Sequence, residues 1–141
     1  MRLKLVTLSG TKFDEEIYEA TIPTVDGEIA VFPDHEPLVT LAKGGVITVR
    51  KHKTASVDDD DFFAISGGVV EINPGEIKVL VDEADHGDDI VEAESQAALD
   101  RALSLRDEAK DQVELEKAHQ LVDRHMVRLK VADLHRRRRR S

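Results

Sequence analysis

The side chains in this sequence that are most able to do chemistry are charged, and they are unevenly distributed. Residues 1–116 carry 11 Lys and Arg against 27 Asp and Glu, whereas residues 117–141 carry nine against two, so a segment of charge +7 follows one of −16. The last segment ends in Arg136, Arg137, Arg138, Arg139 and Arg140. Guanidinium groups pair with phosphate and carboxylate. This basic arm could therefore bind a polynucleotide, an anionic lipid, an acidic protein surface or the chain's own acidic body.

Other reactive groups are isolated from the partners that catalysis or metal binding requires. His35 lies between Asp34 and Glu36, as a general base with carboxylate support would, but no nucleophile accompanies it. The acidic runs 58–61 and 82–89, the second with His86, offer oxygen ligands but lack the spacing of a calcium-binding loop. The chain has no cysteine and no phosphate-binding P-loop. We therefore predict no catalytic residue, no metal site and no cofactor.

The elements that position the charged arm fall into two classes. From Arg2 to Val81 apolar residues recur at period two between turns, which predicts an all-β sandwich or barrel of eight to ten strands. Examples of apolar residues that share one face of a strand are Tyr18, Ala20 and Ile22; Ile47 and Val49; and Ile77, Val79 and Val81. Asp26-Gly27 predicts a hairpin turn, and Pro33 and Pro37 take the chain out of the sheet.

The region after Val81 has helical composition. No Gly or Pro occurs from Asp88 onward, and Ala, Leu, Glu, Arg and Lys dominate. We predict two antiparallel helices of about 18 and 22 residues that break near Lys110-Asp111. The first is expected to bury Ile90, Ala93, Ala97, Arg101 or Ala102, and Leu105, and the second Leu115, Ala118, Val122, Met126, Leu129 and Ala132. The predicted organisation is a sandwich over 1–84, a connector over 85–89, a helical hairpin over 90–135 and a basic tail over 136–141.

Several motifs occur in a characteristic order. D-G-E-I-x-V-x-P-x-H-x-P-L begins at Asp26, and L-x-x-G-x-x-I from Leu41 follows it. The later motifs are A-I-S-G-G-V-V-E-I from Ala64, V-L-V-D from Val79 and R-L-K-V-A-D from Arg128. Together they resemble the epsilon subunits of F-type ATP synthases over nearly the whole chain. The chain departs from the family at Asp34, where members usually have Gly.

The resemblance implies a non-catalytic subunit of a rotary motor that couples proton or sodium flow to ATP synthesis. Its sandwich would be flattened into two sheets and would bind the gamma subunit and the c ring, with Asp26, Gly27 and Glu28 facing the ring. Its last helix, when extended, would meet an acidic segment of the beta subunit in the alpha–beta assembly and inhibit ATP hydrolysis. The residues expected to make that contact are Arg124, Arg128, Lys130 and Arg136 to Arg140. The protein would be peripheral on the cytoplasmic face of the cell membrane and would bind no nucleic acid.

Some members of the family bind ATP through I/L-D-x-x-R-A at the start of the first helix. The aligned residues here are Ile90 to Ser95, in which Val91 replaces the Asp and Glu94 replaces the Arg. Only Ile90 and, further along, Arg101 and Arg106 are retained. Because a carboxylate at the arginine position repels phosphate, we predict no ATP site.

Targeting and membrane signals are weak, and one alternative function remains open. The N-terminus has only a short, interrupted apolar run, and no apolar stretch is long enough to span a bilayer. We therefore expect a soluble intracellular protein that can still attach to a membrane complex. The alternative is a free-standing β-sandwich binding module whose basic helical tail docks an acidic partner or a polynucleotide, and charge alone supports it.

Overall fold

Ten β-strands occupy the first 86 residues of the computed structural model, which describes residues 1–56 and 59–139. They are β1 (Arg2–Thr7), β2 (Gly10–Glu16), β3 (Glu19–Thr24), β4 (Gly27–Val31), β5 (Leu38–Ala42), β6 (Gly45–Arg50), β7 (Asp61–Ile65), β8 (Gly68–Asn73), β9 (Glu76–Val81) and β10 (Ala84–His86). A 3₁₀ turn, Gly87–Asp89, leads to two helices, α1 (Glu92–Glu108) and α2 (Gln112–Arg139).

The strands form one continuous path that is folded into a sandwich. Their order is β10-β7-β6-β3-β5-β8-β9-β1-β2, and β4 pairs with β3 beside this path. The path turns from one layer to the other where β3 meets β5 through the single pair Thr24–Ala42. All neighbours are antiparallel except β1 and β9. The predicted sandwich of eight to ten strands followed by two helices is confirmed.

Alternate side chains from both layers share the sandwich core. The buried residues include the predicted Ala20 and Ile22, Ile47 and Val49, and Ile77, Val79 and Val81. Tyr18 precedes β3 and packs edge-to-face on Phe32, with ring centroids 5.9 Å apart. Period-two patterning therefore places most core side chains correctly, because one face of each strand is buried.

The turn between Pro33 and Pro37 contains the residue that departs from the family pattern. Asp34 has a φ of 69°, in the left-handed region that favours glycine. Aspartate tolerates this conformation better than most residues do. The substitution therefore keeps the turn, and the amide of His35 still donates to the carbonyl of Phe32 at 3.2 Å.

Strand β7 is buried on both faces and joins the two parts of the protein. Phe63 and Ile65 point into the sandwich core. Phe62 and Ala64 belong to a second cluster with Ile90, Val131 and Ala132. The sequence of β7 is accordingly an unbroken apolar run after Asp61, as is typical of a strand that is covered on both sides. The covering element is the second half of α2.

The break between the helices is specified by an aspartate. Asp111 Oδ1 accepts a hydrogen bond from the Glu114 amide at 2.8 Å, and Glu114 Oε2 accepts one from the Lys110 amide at 2.9 Å. This exchange resembles a capping box and stabilises the first turn of α2. The predicted break near Lys110-Asp111 lies at this cap.

The buried faces of the helices differ from the predicted stripes. Ile90, just before α1, and Ala102 are buried as predicted. Ala93, Ala97, Arg101 and Leu105 are exposed, and Ser95 is buried instead. In α2, Ala118, Val122 and Ala132 are buried as predicted, but Met126 is exposed and Val131 and His135 are buried. The reason is that α2 packs against α1 and also, around Val131 and Ala132, against β6 and β7. Its buried face therefore shifts around the helix, and a single stripe does not describe it.

The element boundaries also differ from the predicted organisation. Strand β10 lies partly within the predicted connector 85–89, and its residues pair with Phe63 to Ile65 of β7. Helix α2 has 28 residues and continues to Arg139, so the segment predicted as a separate tail is helical as far as it is described. Arginine is a good helix former. Arg136 and Arg137 also pair with Asp133 one turn earlier, which supports the helix.

Candidate partner-binding surfaces

The turn that joins β3 and β4 is held in one conformation. Gly27 has a φ of 112°, as the predicted hairpin turn requires. Thr24 Oγ1 accepts a hydrogen bond from the Asp26 amide at 3.2 Å and donates one to the Gly27 carbonyl at 2.5 Å. Thr24 is buried, whereas Val25, Asp26, Gly27 and Glu28 are exposed. The turn therefore presents one apolar side chain and two carboxylates on a fixed backbone.

The outward side of β5, β8 and β9 is an apolar surface that the sequence analysis missed. We call it the apolar sheet face, and its residues are Val39, Leu41, Val69 and Leu80, which are between 39% and 70% exposed. Leu41 pairs with Val69, and Val69 pairs with Leu80, so three of them form a row across three strands. Exposed apolar patches on charged proteins mark docking sites. The available signal was the run Val79-Leu80-Val81, in which an apolar residue occupies the outer position as well.

The turn and the apolar sheet face are contiguous. The Val25 amide donates to the Leu41 carbonyl at 3.1 Å, and the Lys43 amide donates to the Pro23 carbonyl at 3.0 Å. These bonds attach the β3–β4 hairpin to the end of β5. Val25 therefore extends the apolar sheet face toward Asp26 and Glu28 at one end of the sandwich.

The basic residues of α2 that were predicted to meet a partner mostly contact the chain itself. Arg124 Nε lies 2.8 Å from Glu83 Oε2, and Arg128 Nη1 lies 3.3 Å from Asp85 Oδ2. Lys130 is exposed. Of the possibilities raised by the +7 segment, the structure therefore has α2 folded back on the acidic body.

The last described turns of α2 continue this pattern. Arg136 Nη1 lies 2.6 Å from Glu92 Oε2, and Arg137 Nη2 lies 3.1 Å from Asp133 Oδ2. Arg138 Nη1 donates to Asp61 Oδ1 at 2.7 Å and to the Asp60 carbonyl at 3.0 Å. Arg139 is the last residue of α2, and Arg140 lies outside the described residues.

Asp61 is the centre of the polar contacts at this end of α2. Its Oδ1 accepts hydrogen bonds from Arg138 and, at 3.0 Å, from His86 Nε2, and Lys51 Nζ lies 3.6 Å from Oδ2. Because His86 Nδ1 accepts from the Asp88 amide at 3.0 Å, the ring proton is on Nε2 and points to Asp61. Burial alone would raise the pKa of Asp61, but the hydrogen bonds from His86 and Arg138 outweigh burial and hold this pKa below its usual value.

His135 also lies at this end of α2, beside His86 and Asp88. Its Nε2 lies 2.6 Å from Asp88 Oδ1, although the two atoms make no well-directed hydrogen bond. The ring packs edge-to-face on His86 with centroids 5.9 Å apart. We call Asp61, His86, Asp88, His135 and Arg138 the α2 clasp. It fastens the end of α2 to β7, to β10 and to the 3₁₀ turn.

The residues retained from the ATP-binding motif do not form a common site. Ile90 is buried under α2 in the second cluster. Arg101 and Arg106 lie on α1, about 7.5 Å apart along the axis and about 140° apart around it. Arg101 is exposed, and Arg106 Nε lies 4.0 Å from Asp107. Glu94, at the arginine position of the motif, is exposed.

The remaining candidate groups have local partners. His35 Nδ1 lies 2.7 Å from the Glu36 carbonyl oxygen, within the turn. In the acidic run 58–61, Asp60 accepts from Arg50 at 3.2 Å, and Asp58 lies outside the described residues. Among residues 1–56 and 59–139 no three His, Asp or Glu side chains are grouped as metal ligands. In the same part of the chain, no helix has the length and apolar content to cross a membrane.

The sequence of this chain is similar to those of known proteins over nearly its whole length. The family model described as "ATP synthase, Delta/Epsilon chain, beta-sandwich domain" matches residues 1–87. An ATP synthase epsilon chain of Chromobacterium violaceum is 33% identical over 133 residues, which cover 94% of this chain and 93% of that one. An ATP synthase epsilon chain of Herpetosiphon aurantiacus is 32% identical over 139 residues, with 98% of each covered.

Solved structures share the fold. A chain of the Euglena gracilis mitochondrial ATP synthase, solved as OSCP/F1/c-ring in rotational state 1, superposes with a TM-score of 0.76 at 23% identity and covers 92% of this chain and 79% of its own length. A chain from the central stalk and c ring of the Tetrahymena thermophila enzyme gives a TM-score of 0.58 at 14% identity over 94% and 96%. Since the family model matches more than half of the chain and the relatives match nearly all of it, the chain belongs to the ATP synthase epsilon chain family.

Proposed function

We propose that this chain docks through its sandwich to the gamma subunit and the c ring of an F-type ATP synthase and regulates ATP hydrolysis through α2. As an epsilon chain it is a non-catalytic, peripheral part of the synthase. The titles of the two related structures name F1, the central stalk and the c ring, which supports these partners. The proposed location is the cytoplasmic face of the membrane, where proton or sodium flow turns the ring.

The observation that carries the docking proposal is the apolar sheet face. Leu41, Val69 and Leu80 form an exposed row on a protein in which 35% of the residues are charged. Such a row stays wet in the isolated chain and is covered when a partner packs on it. We assign this face to gamma and the adjoining turn, with Asp26, Gly27 and Glu28, to the c ring.

The regulatory part of the proposal concerns α2. Arg124, Arg128, Lys130 and Arg136 to Arg140 would meet an acidic surface of the beta subunit when α2 leaves the sandwich. In the present arrangement Arg124, Arg128, Arg136 and Arg138 are occupied by carboxylates of the chain itself. In this proposal, inhibition is off while α2 is docked and its arginines are paired in this way.

Paired valine substitutions test the docking surface. Val39→Asp places a charge on the apolar sheet face, and Val113→Asp places the same charge on a comparably exposed valine at the start of α2. We expect Val39→Asp, alone or with Leu41→Asp, to lower copurification with gamma and c subunits, because a buried unpaired charge opposes association. Val113→Asp should copurify normally. Normal copurification of the Val39→Asp, Leu41→Asp variant would contradict the assignment.

Hydrolysis by the reconstituted complex tests the regulation. Deleting residues 112–141 should leave assembly intact and raise ATP hydrolysis. Replacing Arg136 to Arg140 with Gln should give part of that effect. Inhibition by the intact chain should weaken with salt, since the Debye length falls from about 10 Å at 0.1 M to about 3 Å at 1 M. Equal rates for the three chains at low salt would show that α2 is not an inhibitor.

A further inference from the structure

The docking of α2 on the sandwich depends partly on charge. The second cluster contains only Phe62, Ala64, Ile90, Val131 and Ala132 as buried apolar residues, and two of these are alanines. Around this small cluster lie ion pairs from Arg124, Arg128, Arg136 and Arg138 to carboxylates outside α2. Val46, Val127 and Leu134 pack on this cluster and are only partly buried. Because the fully buried cluster is small, the α2 clasp adds to what holds the second half of α2 in place.

The contact between Arg138 and Asp61 is the most enclosed of this set, whereas the Arg136–Glu92 pair is more exposed. The Asp61 side chain is 10% exposed, and Arg138 reaches it across 77 positions of sequence. Arg136 chelates Glu92 with its Nη1, at 2.8 Å from Oε1 and 2.6 Å from Oε2. Both acceptors lie outside α2, one on β7 and one at the start of α1. The two basic side chains are thus paired to different elements.

We propose that Asp61 and Glu92 act as built-in substitutes for an acidic partner surface, so that the chain masks its own basic end. They occupy Arg138 and Arg136 while α2 is docked, and these arginines become available only when the pairs are exchanged for carboxylates of another protein. The inference rests on the proposed regulatory role of α2. It adds the residues that hold α2 docked and the chemistry by which a partner releases it.

Replacing the chain's own carboxylates with those of a partner costs little free energy, because each arginine is paired with a carboxylate before and after α2 is released. A guanidinium paired with a carboxylate in the docked state is again paired with a carboxylate in the released state, so most of the pairing energy cancels. Asp61 keeps His86 and Lys51 as neighbours after Arg138 leaves. Its carboxylate is therefore not left as an unpaired buried charge, which would otherwise make release very costly.

Amide hydrogen exchange on the isolated full-length chain tests the masking directly. The variants are Asp61→Asn, Arg138→Gln and the double variant, with Lys130→Gln as a control that removes an equal charge from an exposed position on α2. We expect exchange of residues 127–139 to rise about tenfold or more in each single variant, because each removes the charge-assisted hydrogen bond that ties Arg138 to Asp61. The double variant should exchange no faster than the worse single variant. Lys130→Gln should match the unchanged chain.

The sandwich provides an internal reference. Exchange in β1, β8 and β9 should stay unchanged in all variants. If Asp61→Asn also raises exchange in these strands, it has loosened the sandwich itself. The test of α2 docking then rests on Arg138→Gln and Glu92→Gln, because these variants alter side chains outside β7. Unchanged exchange of residues 127–139 in both Arg138→Gln and Glu92→Gln would overturn the inference.

A second measurement uses poly-L-glutamate at low salt as the acidic probe. Asp61→Asn and Glu92→Gln should each bind it more tightly than the unchanged chain, since each removes a carboxylate that competes with the probe for an arginine. Arg136→Gln with Arg138→Gln should bind it less tightly. Unchanged probe affinity in Asp61→Asn and Glu92→Gln would overturn the masking. If exchange and probe binding respond but hydrolysis by the complex does not, the masking stands and the proposed inhibition fails.

Discussion

Gly87 of the 3₁₀ turn packs directly against His135 of α2, and the space between them is too small for a methyl group. A methyl group on Gly87 would lie 2.8 Å from Cβ and 2.9 Å from Cγ of His135. Both residues are buried. Gly87 is therefore required for the close approach that brings His135 to Asp88.

Gly87→Ala is predicted to displace the end of α2 without changing any charge. The added methyl group should cost about 1–3 kcal/mol, as overpacking usually does, and should raise amide exchange in residues 127–139. Gly44→Ala is the matched control, because a methyl group there meets only the Ile65 carbonyl at an ordinary 3.7 Å. Adding His135→Ala to Gly87→Ala should restore part of the protection. An unchanged exchange pattern in Gly87→Ala would show that α2 tolerates the displacement.

Gly68→Ala is predicted to destabilise the sandwich itself. A methyl group on Gly68 would overlap the Leu80 carbonyl oxygen and lie 2.8 Å from Cα of Val81, which is its partner in the β8–β9 pairing. Backbone atoms cannot move aside as a flexible side chain can. The free energy of unfolding should fall by about 3 kcal/mol, at the upper end of overpacking costs. Urea unfolding measures it, and a midpoint equal to that of Gly44→Ala would contradict the prediction.

The docked helices are predicted to lose stability as the pH falls below about 6.5, the ordinary histidine pKa. Burial lowers the pKa of His125, and Arg128, Arg124 and Arg101 lower it further. The unfolded state then binds a proton before the folded state does, so stability is complete above the unfolded pKa and decreases below it. His125→Gln should remove this part of the pH dependence, whereas His119→Gln, at an exposed position on α2, should not. Unfolding curves between pH 5.5 and 8 measure the difference, and identical slopes for both variants would refute it.

The sandwich was predictable because its strands bury one face each. Ile77, Val79 and Val81 alternate with more polar or exposed neighbours, and the structure buries all three. The hairpin at Gly27 was predictable because the turn needs a positive φ. The period-two pattern did not reveal the apolar sheet face. Leu80 occupies an outward-facing position, at which the pattern predicts a polar residue. Its apolar character agrees with the proposed docking of a partner on this face.

The helices were harder to place because their neighbours are remote in sequence. Ser95 is buried and Ala97 is exposed, although alanine is the more apolar of the two. The position of α2 decides which face of α1 is buried, and the sequence of α1 alone does not indicate it. The α2 clasp joins residues as far apart as Asp61 and Arg138. Only the fold brings them together. The sequence indicated that the basic end could fold back on the acidic body, but it did not identify which carboxylates would receive it.

ATP at millimolar concentration is predicted not to stabilise the isolated chain. The family motif is lost at Val91 and Glu94, Ile90 is buried under α2, and Arg101 and Arg106 point in different directions. A ligand that binds only the folded state would add about 2.7 kcal/mol at 100 times its Kd, which thermal unfolding detects readily.

The control for that measurement is tripolyphosphate at equal ionic strength, because polyphosphate charge alone can stabilise a basic segment such as residues 117–141. Equal melting temperatures in ATP, in tripolyphosphate and in matched salt are the expected result. A rise with both polyphosphates would indicate binding to exposed arginines of α2. A rise with ATP alone would mean that a nucleotide is recognised by its base or ribose, and that the substitutions at Val91 and Glu94 have not removed the site. Reverting them with Val91→Asp and Glu94→Arg should then increase the ATP-specific rise.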